Sequence, residues 1–233
     1  ILDEKDIVKE KMGLLMGVGQ GSLNPPRLIV LEYAPKKANK KTRTIAFVGK
    51  GITFDSGGIS IKPGAKMEEM KFDMCGAAAV FGAIATCAAL KLDTRIFMVI
   101  AAAENMPDGG AINPGNILTG RNGKTVEVFN TDAEGRVVLS DVLTYVQKLG
   151  AKTIFEFSTL TGAAEVALGN ITTVVMGNDQ KLVDDILSVS REENEPTWQL
   201  PSDERYKELI KSHIADMVNA GGGPSKVKGG GTI

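Results

Sequence analysis

The chain of 233 residues carries one histidine, two cysteines, one tryptophan and no excess of charge of either sign. A single histidine, His213, excludes a histidine-rich zinc site, so oxygen ligands must do most of the work in any metal centre. Two cysteines, Cys75 and Cys87, cannot build a disulfide framework, and their separation matches no zinc-ribbon spacing. Both read as small buried hydrophobes in a reducing compartment, the cytoplasm. Lys and Arg number 27 against 28 Asp and Glu, a net charge of −1, which argues against a broad cationic face for nucleic acid. The basic stretch Lys36–Lys41 reads as a solvated turn, so nucleic acid is not an expected partner. No apolar run is expected to approach the roughly 20 residues that span a bilayer, and no membrane association is expected. Glycine, in contrast, is abundant: 27 residues, about 12% against a usual ~7%, which signals many tight loops.

Short β-branched runs alternate with helical patterns along the chain. Asp3–Met16 has helical apolar spacing, and Gly17–Ser22 interrupts it. Arg27–Ala34 and Arg43–Val48 read as adjacent strands, followed by a long glycine-rich, charged loop over Gly49–Met74. Gly76–Leu92 suits a buried helix and Thr94–Ala103 a buried strand, with a second long loop over Glu104–Asn122. Lys124–Phe129 and Lys152–Ser158 are strands on either side of a helix at Arg136–Leu149. A short helix at Ala163–Leu168, a strand at Ile171–Met176 and amphipathic helices at Lys181–Arg191 and Glu204–His213 complete the pattern. Alternation of this kind predicts an α/β fold, a three-layer domain with a central mixed sheet flanked by helices.

Ligands in open α/β sheets gather beyond the carboxyl ends of strands, and three polar clusters lie in such places. Lys50, Asp55 and Lys62 follow the strand ending at Val48, Asp73 closes the same loop, and Asp132, Glu134 and Arg136 follow Phe129. Four convergent carboxylates repel one another unless cations neutralise them. Lys50, Lys62 and Arg136 offer such charges, and divalent ions are the stronger solution. The residues alone leave open the alternative of solvated acidic loops. A phosphate-handling hydrolase would need a phosphate-cradling loop, and the chain has no GxxxxGK[ST].

Asn130-Thr131-Asp132-Ala133-Glu134-Gly135-Arg136 resembles the signature of the leucyl (cytosol) aminopeptidase family. The stretches Val48–Pro63 and Met70–Ala78 resemble further segments of that family in the same order. The resemblance implies a metal-dependent aminopeptidase that hydrolyses the N-terminal residue, leucine and other apolar residues preferred, from peptide substrates. It implies two divalent ions per subunit, Mn or Zn with Mg also allowed, that activate a bridging water. Lys50, Asp55, Asp73 and Glu134 would hold one ion, and Asp55, Asp132 and Glu134 its neighbour. Lys62 would be the catalytic lysine that polarises the scissile carbonyl, and Arg136 would hold a bicarbonate ion acting as general base. Met70, Thr159 and Gly162 would line the pocket for the first side chain. The family assembles as hexamers, so a homo-oligomer is implied. The chain opens on Ile1 and closes on a glycine run before Thr232-Ile233, which reads as a fragment: residues 1–233 as the catalytic domain, without the family's N-terminal domain and its C-terminal end.

Overall fold

The computed structural model describes residues 1–39 and 42–221. Lys40 and Lys41 of the basic turn, and the glycine-rich stretch 222–233, lie outside the described residues. In chain order the elements are α1 (Glu4–Lys9), α2 (Gly13–Gly19), β1 (Arg27–Tyr33), β2 (Thr44–Asp55), a 3-10 helix at Met67–Phe72, α3 (Cys75–Ala89), β3 (Arg95–Asn105), β4 (Ile117–Thr119), β5 (Thr125–Glu127), α4 (Gly135–Lys148), β6 (Thr153–Phe157), α5 (Gly162–Leu168), β7 (Thr173–Val175), α6 (Gln180–Glu192), β8 (Thr197–Gln199), a 3-10 helix at Glu204–Ile210 and β9 (Met217–Val218). They form two compact units, one of Ile1–Thr159 with Ser212–Asn219, the other built on Leu160–Lys211.

The larger unit is organised by a mixed sheet in the order β1-β3-β2-β6. β3 runs antiparallel to β1 and parallel to β2, and β2 runs parallel to β6. β1 and β2, expected to be neighbours, are separated by β3. The reason lies in composition: β3 is apolar on both faces and buried along most of its length, which suits a central strand, whereas β1 exposes Leu31 and Glu32 and suits an edge. Register pairs Ile45 with Ile96 and Phe47 with Met98, and these residues meet Ala77, Val80 and Ile84 of α3 on one face. Phe47 also packs against the rings of Phe155 and Phe157, at centroid distances of 5.8 and 6.4 Å, which fastens β6 to β2. The alternate residues Ala46, Val48 and Val99 are fully buried on the other face, where α2 and α4 pack on these strands. This is the expected α/β arrangement of a mixed sheet between helices. A separate three-stranded sheet, β4-β5-β9, completes the unit.

α3 is more than the buried helix expected. Ala77, Val80 and Ile84 face the sheet, while Cys75, Phe81 and Leu90 are exposed, so Cys75 is not the buried hydrophobe its neighbours suggested. With the preceding 3-10 helix it makes a 23-residue stretch long and apolar enough to cross a bilayer. Its inward face packs on the sheet's core, and Glu68, Glu69, Lys71 and Asp73 interrupt its start.

The single helix expected over Asp3–Met16 is two. Asp3 caps α1 by accepting from the N–H groups of Lys5 and Asp6, and the helix stops where Lys11 takes a left-handed conformation, φ 60°. α2 then starts at Gly13 with no capping side chain from Met12. Its orphan donors are satisfied from another helix: Asp141 Oδ2 on α4 accepts from Leu14 N at 2.9 Å and Leu15 N at 3.0 Å, and Oδ1 accepts from Arg121 N at 2.7 Å. Asp141 is fully buried, and burial holds its carboxyl above the ordinary range although all three N–H groups pull the other way.

In the smaller unit, Thr161 caps α5 and Asp179 caps α6, and β7 and β8 pair in parallel with Val174 opposite Trp198. The helix expected over Glu204–His213 is a 3-10 helix ending at Ile210.

Asp141 gives the first prediction. Asp141→Ala should strip two buried N–H groups and one part-buried one of their acceptor and cost about 2–4 kcal/mol of stability, read as a shift in the urea midpoint. A midpoint unchanged from the parent would show that Asp141 is dispensable for docking α2 on α4.

Candidate metal centre

β2 does not end at Val48, as its sequence suggested, but continues as an ordered strand to Asp55 because β3 is long enough to pair with it: Lys50 lies opposite Ala101 and Asp55 opposite Asn105. The ladder is irregular between Ile52 and Phe54, close to the point where the strand must release its carboxylate into the site. Asp55 is then fixed twice. Its Oδ1 accepts from Gly57 N at 3.0 Å and from Asn105 Nδ2 at 2.8 Å. Gly57 and Gly58 turn the chain sharply, with φ of 89° and 66°, in the region that favours glycine. A Cβ at Gly57 would also stand 2.9 Å from Asp132 Oδ1, so a side chain here would press on the site itself.

Asp132 and Glu134 come from the short loop between β5 and α4. The loop is irregular, and its backbone groups are satisfied by side chains from remote parts of the same unit. Thr131 Oγ1 donates to Gly57 O at 2.6 Å and accepts from Ser60 N at 2.8 Å. Asn105 Nδ2 donates to Thr131 O at 3.0 Å. Asn219, beyond β9, accepts through Oδ1 from Phe129 N at 2.8 Å and Asn130 N at 3.3 Å, and donates through Nδ2 to Asn130 O at 2.6 Å and Ala133 O at 3.3 Å. Neither asparagine was a candidate from sequence. Asn105 gives a faint signal, a polar residue ending an apolar strand, whereas Asn219 gives none because its partners lie about 90 residues away.

These supports bring the charged side chains together. Lys50 Nζ stands 2.8 Å from Asp73 Oδ1, 2.8 Å from Glu134 Oε1 and 3.1 Å from Thr159 O, so three oxygens surround its ammonium. Lys62 Nζ stands 2.9 Å from Asp55 Oδ2 and 2.5 Å from Asp132 Oδ1. Oxygens of Asp55, Asp132 and Glu134 lie within 4.8 Å of one another. Thr159 Oγ1 donates to Asp73 Oδ1 at 2.6 Å. Met70 sits on the 3-10 helix that leads to Asp73, whose N–H donates to the Met70 carbonyl at 3.3 Å. Arg136 lies in the first turn of α4, just beyond Glu134, and its charge acts on that carboxylate. Gly162 belongs to the smaller unit, where it opens α5.

Burial dominates the electrostatics. It raises the pKa of Glu134, Asp73 and Asp132 against the pull of the lysines, and the neighbouring Asp55 charge adds to the rise. Burial alone would depress Lys50 and Lys62, but the carboxylates facing them outweigh it and hold both above the ordinary lysine range. Burial also lowers Arg136, against the pull of Glu134. Two ammoniums thus face four carboxylates, leaving formal negative charge in a nearly dry site. Asp73 Oδ2 is buried without a hydrogen-bond partner among the described residues. Asp132 Oδ1 and Glu134 Oε1 are at ion-pair distance from their lysines but off a hydrogen-bonding direction. An unpartnered buried oxygen such as Asp73 Oδ2, in a hard donor set of carboxylates, suits a divalent cation.

Comparisons with known proteins identify the family. Residues 1–232 match the model of the cytosol aminopeptidase family, catalytic domain. A probable cytosol aminopeptidase of Alkaliphilus oremlandii is 51% identical over 233 residues, 100% of this chain and 45% of that protein. Those of Thioalkalivibrio sulfidiphilus and Pseudomonas fluorescens strain SBW25 are 47% and 49% identical over 225 and 222 residues, covering 97% and 95% of this chain and 45% and 44% of theirs. The chain therefore spans about half the length of the curated relatives it matches. With one family model accounting for residues 1–232 and relatives close to half identical along the same span, the chain belongs to the cytosol aminopeptidase family and falls within its catalytic domain.

Proposed function

We propose that residues 1–233 are the catalytic domain of a two-metal exopeptidase that removes the N-terminal residue, leucine and other apolar residues above all, from peptides. The observation that carries this is the convergence of oxygens from Asp55, Asp132 and Glu134 within 4.8 Å, beside a second cluster of Lys50, Asp73 and Glu134. Bound divalent ions, Mn or Zn with Mg also compatible, would supply Lewis acidity and a nucleophilic water at neutral pH.

The chain's own residues have distinct roles in that reading. Asp55, Asp132 and Glu134 would hold one ion, and Lys50, Asp55, Asp73 and Glu134 the other. Lys50 donates there only as the neutral amine, so its proton must leave. Four carboxylates against two divalent ions then balance in charge, which the two ammoniums by themselves do not achieve. Lys62, on the more exposed side, donates to the scissile carbonyl and stabilises the oxyanion. Arg136 would hold bicarbonate, which would supply a general base in a chain whose single histidine is exposed and lies in none of the carboxylate clusters. Met70 and Thr159, both in the larger unit, would receive the first side chain. A free α-amine is the group that a peptide N-terminus adds to the ligand set, which selects exo- over endopeptidase action. The relatives' names support a place in the cytoplasm, and the family resemblance supports assembly into a hexamer.

The deciding experiment is calorimetric titration of the metal-stripped protein with Mn²⁺, followed by an assay for leucine released from a leucyl dipeptide. Two ions per chain with metal-dependent release are expected; absence of ion binding would overturn the proposal. Asp55→Asn should weaken both ions together, and a variant that keeps two tight ions would show that Asp55 does not bridge. At saturating metal, Lys62→Ala should lower kcat by roughly 10²–10³, as loss of an oxyanion donor does. Asn219→Ala, which releases the backbone carrying Asp132 and Glu134, should weaken ion binding about 10- to 100-fold, with partial rescue in Asn219→Gln.

A further inference from the structure

Lys62 has a second property that its place in catalysis does not explain. Its ammonium is already bound to two of the carboxylates proposed to hold an ion, Asp55 Oδ2 at 2.9 Å and Asp132 Oδ1 at 2.5 Å. A divalent ion binds carboxylate oxygens at about 2.0–2.6 Å, so an ion and an ammonium seeking these same oxygens would be neighbouring like charges in a poorly screened site. We propose that Lys62 is an internal counter-ion of the Asp55–Asp132 pair, so that an ion enters this position by displacing its side chain. The proposal rests on the reading of these carboxylates as metal ligands.

Three observations single out Lys62 rather than Lys50 as the cation that moves. The Lys62 side chain is 22% exposed and that of Lys50 3%, so Lys62 has an open route to water and Lys50 does not. Lys50 lies in the paired part of β2 with three acceptors around its ammonium, whereas Lys62 lies in a loop with two carboxylate partners. The Lys62 backbone is nevertheless pinned, its N–H donating to Ser56 O at 2.9 Å, so the side chain can swing without the loop unravelling.

Two consequences follow. Before loading, Lys62 keeps Asp55 and Asp132 from repelling each other, which preserves the site and resists weakly bound monovalent cations. On loading, the same displacement frees the Lys62 amine for a substrate carbonyl, so an oxyanion donor is available once the ion is in place. Metal loading and arming of the lysine are a single event.

The test compares the parent with Lys62→Met, which keeps the stem and removes the ammonium, in metal-stripped and Mn²⁺-loaded forms. Calorimetry should show Mn²⁺ binding tighter in the variant by roughly 5- to 150-fold, the span of a typical coupling between two sites. Stripped Lys62→Met should melt below the stripped parent, while the loaded forms melt together, because the lost counter-ion matters only before the ion binds. Arg136→Met removes a nearby charge outside the Asp55–Asp132 pair and should tighten binding far less; equal tightening in the two variants would show through-space repulsion and overturn displacement. Equal affinity in parent and Lys62→Met would also overturn it. If the stripped Lys62→Met protein fails to fold, Lys62→Gln, which can still hydrogen-bond the pair without charge, should show the same tightening. Failure of Mn²⁺ to bind parent and variants alike would instead sink the metal-site reading beneath it.

Discussion

The constraint on which the larger unit depends is the cost of holding several carboxylates out of water. Asp55, Asp73 and Glu134 are nearly inaccessible, and each lies close to another acid. Left alone, such a group would protonate or draw in water. Here each faces a lysine: Asp73 and Glu134 face Lys50, which is as deprived of water as they are, and Asp55 faces the more exposed Lys62. Breaking one partner of a buried pair commonly costs about 3–5 kcal/mol, whereas the intact pair adds little to stability, so this network is poor as a fold stabiliser and strong as a device for concentrating charge. The fold therefore places it where its rigidity costs least, at the carboxyl ends of parallel strands already braced by a core on both faces.

That bracing explains why so many neutral polar side chains surround the charged ones. Asn105 ties the end of β3 to Asp55 and to the Thr131 carbonyl, and Asn219 satisfies four backbone groups of the loop that carries Asp132 and Glu134. Asparagine suits this task because its amide donates and accepts without bringing a charge that would shift the carboxylates further. Gly57 and Gly58 contribute by what they omit, since a Cβ at either would crowd Asp132, Asn105 or Thr131. The site is thus held by backbone geometry and amide hydrogen bonds, and its charges are left to interact with one another.

Much of this was legible in the sequence, for physical reasons that differ from element to element. The α/β class followed from alternation, because strands buried on both faces, such as β3, need apolar runs that little else in a chain this size requires. The convergent residues followed from a short, dense motif, since Asp132 and Glu134 must leave one turn toward one place. The continuation of β2 to Asp55 was hidden because Gly49, Lys50 and Gly51 look like a loop; their strand conformation comes from pairing with β3, a long-range fact. The same holds for the insertion of β3 between β1 and β2, for the break between α1 and α2 at Lys11, and for Asn219. In each case a partner far along the chain overrode the local pattern, as at Asp141, where a residue of α4 caps a helix more than a hundred positions earlier.

The scarcity of histidine gives the site its chemical character. A metal centre built with histidine can bind an ion through a ligand that is largely neutral near physiological pH. A chain that relies on carboxylates and lysines, as proposed here, must instead balance full charges with or without an ion. Lys50 and Lys62 meet that demand in different ways: one is locked among three acceptors, the other is tethered by its backbone with its side chain open to solvent. The asymmetry between them follows from placing one on a strand and the other on the loop after a glycine turn. A symmetric pair of buried lysines would hold the carboxylates just as well and would leave an incoming ion no cation that could move aside.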